Sequence, residues 1–323
     1  VTSSHDTGGA PPALEPATQQ FVDSLSNGTP MSTVSLDDAR NGLVRMQSHP
    51  TGRPRAEAED TSFPVGPTGS VRIRIIRPRQ SVASPPALMH FHGGGWVLGD
   101  CSTHDRLIRE LAVGVGAVLF FVDYDRAPEA RFPVAVEQAY AATLYVARHA
   151  RALNVDATRL AVLGDNTGGT IATAVTLLAK QRRGPHISLQ VLFYPVTDAN
   201  FDTGSYESFA DGPWLTRQAM QRFWDAYLPD PATRRTALAS PLRATLDELR
   251  DLPDALVCVA ENDVLRDEGE AYARRLSDAG VRVTAVRYNG TIHDFVLLNA
   301  LADTPAARSA IAQAVCALRA VFE

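Results

Sequence analysis

Apolar and polar residues fall into two alternating rhythms along this chain. VRIRIIR (71–77) switches between apolar and basic side chains at period two, the pattern of a half-solvated strand near a sheet edge. ALMHF (87–91) is a short apolar run that ends in a glycine-rich turn. AVLFFVD (117–123) and LAVLGD (160–165) are continuous runs, as expected of parallel strands covered on both faces. QVLFY (190–194), ALVCVA (255–260) and VRVTAVRY (281–288) continue the set. Between them, helical spacing predicts helices near 103–114, 133–150, 168–182, 268–280 and 304–321.

Strand and helix therefore alternate, with connections long enough for right-handed crossovers. The pattern predicts an α/β fold built on a doubly wound, mostly parallel sheet. Residues 1–60 are rich in Pro, Ser and Gly, carry two mildly helical stretches near 14–27 and 36–47, and read as an N-terminal cap segment. The core is expected in two parts, 61–197 and 241–323. Between them, residues 198–240 break the rhythm with Tyr206, Phe209, Trp214, Phe223, Trp224 and Tyr227, and read as an inserted helical cap. Such a cap would lie over the carboxyl ends of the strands, where open sheets place their sites.

Composition narrows the function classes. The chain has 323 residues, 45% of them hydrophobic, and a formal charge of −5 with no concentrated basic run, which argues against nucleic-acid binding. No stretch approaches the ~18 uninterrupted apolar residues of a membrane span. The N-terminal VTSSHDTGGAPPALEP lacks the charged-then-apolar pattern of a secretion signal. Cys101, Cys258 and Cys316 are too few and scattered for a disulfide framework, so reduced thiols and a cytoplasmic location are expected. The eight histidines lack the HExxH arrangement, and neither metal nor cofactor is expected. His90 and His92 are read as alternating across a strand end, so that at most one faces a given ligand. The expected partner is a small molecule, and a homodimer is left open.

The chemistry-bearing residues cluster at strand ends. Gly164-Asp165-Asn166-Thr167-Gly168-Gly169 follows one strand and opens a helix, a sharp turn that lifts its central side chain above the sheet at a helix N-terminus. A serine there would be a nucleophile, whereas the delocalised amide of Asn166 is not. His92-Gly93-Gly94-Gly95-Trp96 leaves backbone N–H groups unshielded, which suits them to an oxyanion. Asp263 follows one late strand and His293 the next, in the order nucleophile position, acid, base. Asp263 would fix the imidazole's tautomer and leave the other ring nitrogen facing the cleft. Around this cleft, His92, Trp96, Asp165 and Trp214 are the expected pocket residues.

HGGGWVLGD (92–100), DYDRAPEARFP (123–133), GDNTGG (164–169), Tyr194-Pro195, ENDVLRDEG (261–269) and GTIHDF (290–295) together resemble the hormone-sensitive-lipase-like branch of the α/β-hydrolases. That resemblance implies an eight-stranded sheet with a helical cap, and hydrolysis of short acyl esters through an acyl-enzyme. It also implies oxyanion donors at Gly94, Gly95 and Thr167, and a triad acid and base at Asp263 and His293. The chain departs from the family where Asn166 replaces serine, where Thr167 replaces a small residue, and at Tyr124-Asp125-Arg126-Ala127-Pro128-Glu129, which is read as scaffold variation.

Without the hydroxyl, no acyl-enzyme can form. The residues alone favour a recruited site in which His293 performs non-covalent acid–base chemistry, such as elimination, cyclisation or proton transfer beside a carbonyl. One alternative is a carboxylesterase inactivated by a Ser-to-Asn change. Another is a small-molecule binding protein.

Overall fold

The computed structural model describes residues 13–25, 33–48, 51–79 and 82–323. Two helices, α1 (Pro16–Leu25) and α2 (Leu36–Gln47), precede strands β1 (Ala56–Phe63), β2 (Val71–Pro78) and β3 (Pro86–Phe91). Then α3 (Asp105–Val115), β4 (Val118–Asp123), α4 (Val134–Arg148), β5 (Asp156–Asp165), α5 (Thr167–Gln181) and β6 (Leu189–Phe193) alternate. Two short helices of the interruption, α6 (Gly204–Ser208) and α7 (Arg217–Tyr227), and α8 (Leu246–Leu249) separate this half from the last strands. Finally come β7 (Asp254–Asn262), α9 (Arg266–Asp278), β8 (Val283–Ile292) and α10 (Pro305–Phe322). The end of the first predicted helix, 26–27, lies outside the described residues.

The eight strands form one sheet in the order β1-β2-β4-β3-β5-β6-β7-β8. β1 and β2 pair antiparallel, as do β2 and β4, and every later pair is parallel. This is the α/β-hydrolase fold. All six residues of β3 are buried, with Met89 and Phe91 in the core on one face and Leu88 in the core on the other. That double burial is why its sequence is a continuous apolar run.

The outermost strand is β1, which no hydrophobic rhythm announced. Its AEAEDTSF is mostly exposed, with only Phe63 buried, and its charges suit an edge that must resist pairing with other chains. VRIRIIR is the second strand, beside that edge, and its half-solvated alternation is as the sequence predicts. Its Arg74 reaches Asp60 across the pair in two hydrogen bonds of 2.6 Å.

Among the described residues no helix is long and apolar enough to cross a membrane. Nor does any group of three or more His, Cys, Asp or Glu there have the arrangement to hold a metal ion.

Candidate active site

β5 ends at Asp165 and α5 begins at Thr167, so Asn166 alone makes the turn, with φ 51° and ψ −120°. A positive φ costs a non-glycine residue about 1–3 kcal/mol, so something must hold it there. Three backbone hydrogen bonds do: Asn166 N–H donates to Phe193 O at 2.9 Å, and Asn166 O accepts from Gly169 and Val196 N–H, both at 3.1 Å. The side chain is thereby aimed at the glycine loop after β3. Asn166 Oδ1 accepts from Gly94 N–H at 3.2 Å and from Gly95 N–H at 3.0 Å. Its Nδ2 lies 2.9 Å from His293 Nε2. The amide's orientation follows from its neighbours, because turning it over would face an NH₂ group toward two backbone donors.

His293 follows β8, and Asp263 follows β7. Their Nδ1 and Oδ2 atoms are 2.7 Å apart, so the acid and base expected from the sequence meet at the carboxyl edge of the sheet. Asp294 Oδ1 stands 3.4 Å from the other ring nitrogen. Burial lowers the pKa of this imidazole, but the Asp263 and Asp294 carboxylates override it and raise it from 6.5 to about 9. The raised value means that the folded state holds the proton more tightly than the unfolded chain. This contribution to stability is fully present below pH 6.5 and is lost as the pH rises through about 9.

Asn166 works in the opposite sense, since its fixed Nδ2–H can be accepted only by a neutral Nε2. Replacing Asn166 by alanine removes that donor. The His293 titration, followed by imidazole NMR, is then expected at higher pH than in the parent chain. An unchanged or lower midpoint would show that the amide does not oppose protonation.

The loop itself is buttressed from behind. Asp165 Oδ2 accepts from Gly93 N–H at 3.2 Å and lies 3.2 Å from His104 Nε2. Burial pushes the Asp165 carboxyl up, and the neighbouring His104 overrides this and brings it to about 2. Burial takes His90 down to about 4 and His92 to about 3, so both are neutral beside that pair. The expectation that His90 and His92 face opposite ways is corrected. Residues two apart in a strand share a face, and both rings pack against His104 and Phe121.

Thr167 Oγ1 accepts from Trp96 N–H at 3.1 Å, which turns its hydroxyl into the loop. As the first residue of α5, Thr167 has a backbone N–H with no partner within the helix.

Of the expected pocket residues, His92, Trp96 and Asp165 are fully buried and engaged by the protein. His92 stacks on Tyr124 at 4.0 Å, and Trp96 stacks on Tyr227 at 4.2 Å. Trp214 is partly buried and donates through Nε1 to Asp294 at 3.0 Å, with Phe21 of α1 at 5.7 Å on its ring. No sequence pattern pointed to Asp294 or His104, whose importance rests on distances alone. Phe223 was visible only as one aromatic of the interruption. Its ring covers Gly95, where an added Cβ would come within 2.3 Å of it at a backbone φ of 64°. A surface hollow of about 550 Å³, lined by Leu189, Asp254 and Arg282 among others, lies at the amino ends of β6 to β8. That is the end opposite Asn166 and His293, and the chemistry is not there.

The sheet order, the elbow and the paired His293 and Asp263 define a hydrolase-fold protein with an Asn-His-Asp arrangement in place of Ser-His-Asp. The chain belongs to the alpha/beta hydrolase fold family, whose match covers residues 88–297. It is 36% identical over 330 residues to Esterase LipI of Mycobacterium tuberculosis, spanning 100% of this chain and 99% of that one. It is 35% identical over 277 residues to an ethyl acetate hydrolase of Pseudomonas putida, covering 84% and 86% of the two chains. Among solved structures, a thermostable esterase from Pseudomonas putida ECU1011 superposes with a TM-score of 0.94 at 46% identity, over 98% of this chain and 99% of that one. The chain is thus of carboxylesterase ancestry, with asparagine where the catalytic serine is expected.

Proposed function

We propose that this chain is a carboxylesterase of the hormone-sensitive-lipase-like branch, built for short acyl esters, whose acyl transfer is silenced by Asn166. The observation that carries this reading is the position of the Asn166 carboxamide. It engages both N–H groups that an ester oxyanion would need, and it ties up the nitrogen that would activate a nucleophile. Everything else is retained: the carboxylate behind the histidine, the buttressed glycine loop, and the free N–H at the start of α5. Recruited acid–base chemistry on a carbonyl substrate needs Gly94 and Gly95 open, and the amide stands in that place. A pure binding role gives no reason for a 2.7 Å contact between Asp263 and His293.

In this reading Gly94, Gly95 and Thr167 hold the oxyanion, His293 is the general base and acid, and Asp263 orients it. Helices α1 and α2 and the interruption 198–240 form the cap, joined by Phe21 on Trp214, while Ala56–Phe63 belongs to the sheet as β1. Trp214 and Phe223 then shape the acyl pocket, while His92, Trp96 and Asp165 support the loop. The test is Asn166→Ser assayed with p-nitrophenyl acetate and butyrate. Fast hydrolysis by the variant is expected, and a folded variant no faster than the parent would sink the proposal.

A further inference from the structure

The Asn166 side chain is more than an obstruction, because it is posed as an amide substrate. Its carbonyl oxygen sits between the Gly94 and Gly95 N–H donors, and its nitrogen faces His293 Nε2 at 2.9 Å. These are the places that a scissile carbonyl oxygen and a leaving nitrogen occupy when a hydrolase cleaves an amide. Asp263 Oδ2 holds the other imidazole nitrogen at 2.7 Å, so the ring in its neutral form, which gains population as the pH approaches about 9, is set to take a proton on Nε2 and return it. Both side chains are almost fully buried, Asn166 at 3% and His293 at 2% exposed, so the amide is held against its partners and the reaction needs only one water admitted beside them.

We propose that Asn166 is a self-processing site: the surrounding residues hydrolyse its side-chain amide to aspartate and release ammonia. His293 Nε2 takes a proton from water as the water oxygen bonds to Asn166 Cγ. The carbonyl electron pair moves onto Oδ1, where Gly94 and Gly95 N–H hold it. The carbonyl then re-forms, the Cγ–Nδ2 bond breaks, and the imidazolium returns the proton to the departing nitrogen. One water is consumed, the carboxamide of Asn166 becomes a carboxylic acid and ammonia leaves; the acid's proton passes to the ammonia, so the products are the aspartate carboxylate at position 166 and ammonium. No oxidant or other co-reactant is needed. The amide bears on two oxyanion donors and one general acid–base, each of which contributes on the order of 10²-fold or more to such a step.

This route differs in its products from ordinary asparagine ageing. There the next backbone nitrogen, here that of Thr167, attacks Cγ, and the resulting ring opens to both aspartate and isoaspartate. At Asn166 three backbone hydrogen bonds and the start of α5 hold that peptide in place. The inference is read in the parent chain and stands whether or not serine restores ester hydrolysis.

The experiment is prolonged incubation of the purified parent chain in heavy-oxygen water, followed by intact-mass measurement and peptide mapping across Asn166. His293→Ala and His293→Gln are run alongside, with circular dichroism establishing that they are folded. The expected result is conversion at position 166 to aspartate alone, with one heavy oxygen in its side chain, at least ~10-fold faster than in either variant. An Asn166 that stays intact in the parent overturns the proposal. So does equal conversion in the folded His293 variants, or a mixture containing isoaspartate.

Discussion

Serine at position 166 is expected to raise p-nitrophenyl butyrate hydrolysis by about 10⁴-fold or more over the parent chain. Removing the nucleophile of a complete serine triad costs on the order of 10⁶ in turnover, and the reverse change recovers much of that where the partners are already in place. They are: His293 Nδ1 is bound to Asp263 at 2.7 Å, and Nε2 faces the side chain of residue 166. One substitution makes two changes. It supplies a hydroxyl, and it withdraws the carboxamide from the Gly94 and Gly95 donors, each worth roughly 10²–10³ in rate. Asn166→Ala separates the two, because it opens the donors without adding a nucleophile. It is expected to exceed the parent by up to about 10³-fold while staying well below the serine variant, since open donors alone give only the residual rate of a broken triad. In the serine background, His293→Ala returns the rate to about the level of Asn166→Ala, because residues acting as a unit lose their effects together. Steady-state assays of the four proteins check the whole cycle.

The second large effect concerns stability. Gly168 lies in the first turn of α5, where that helix crosses the end of β3. A Cβ built there would lie 1.9 Å from Phe91 O and within 2.8 Å of His92 C, both backbone atoms that cannot swing aside. Gly168→Ala must therefore push α5 away from the strand that carries the oxyanion loop. The penalty is about 3 kcal/mol or more, and it exceeds the ~1 kcal/mol that alanine gains over glycine inside a helix. The expected result is a clearly lowered denaturation midpoint. Gly42→Ala is the control, because a Cβ in α2 would meet only Arg45 Nη2 at 3.9 Å. That variant is expected to be neutral or more stable by under ~1 kcal/mol. Equal midpoints for the two alanine variants would show that the helix has room to shift.

The strands with two buried faces were legible in the sequence because burial on both sides writes itself as an unbroken apolar run, as in ALMHF and LAVLGD. The edge strand β1 was not, since a charged, exposed strand looks like any solvated stretch. At the site, the glycine turns and the order of Asp263 and His293 could be read because turn geometry and chain order leave a local imprint. The destination of the Asn166 amide left none. That asparagine lacks a nucleophile is a property of one residue. That its two ends satisfy a donor pair and an imidazole from two other loops is a property of distances. Asp294 escaped notice for the same reason, although it is the next residue after His293.

Arg40 on α2 binds two separate segments of the core at once. Its guanidinium donates from Nε to Val97 O and from Nη2 to Ala127 O, both at 2.9 Å, and meets the Glu129 carboxylate at 2.7 Å. Helix α2 is thus riveted to the stretch of chain that leaves Gly94 and Gly95, and also to the segment after β4. Any outward swing of that helix pulls on the same backbone that aims the two glycine N–H groups. The seating of α2 and the alignment of those donors are consequently mechanically linked, and removing α2 would loosen the glycine loop.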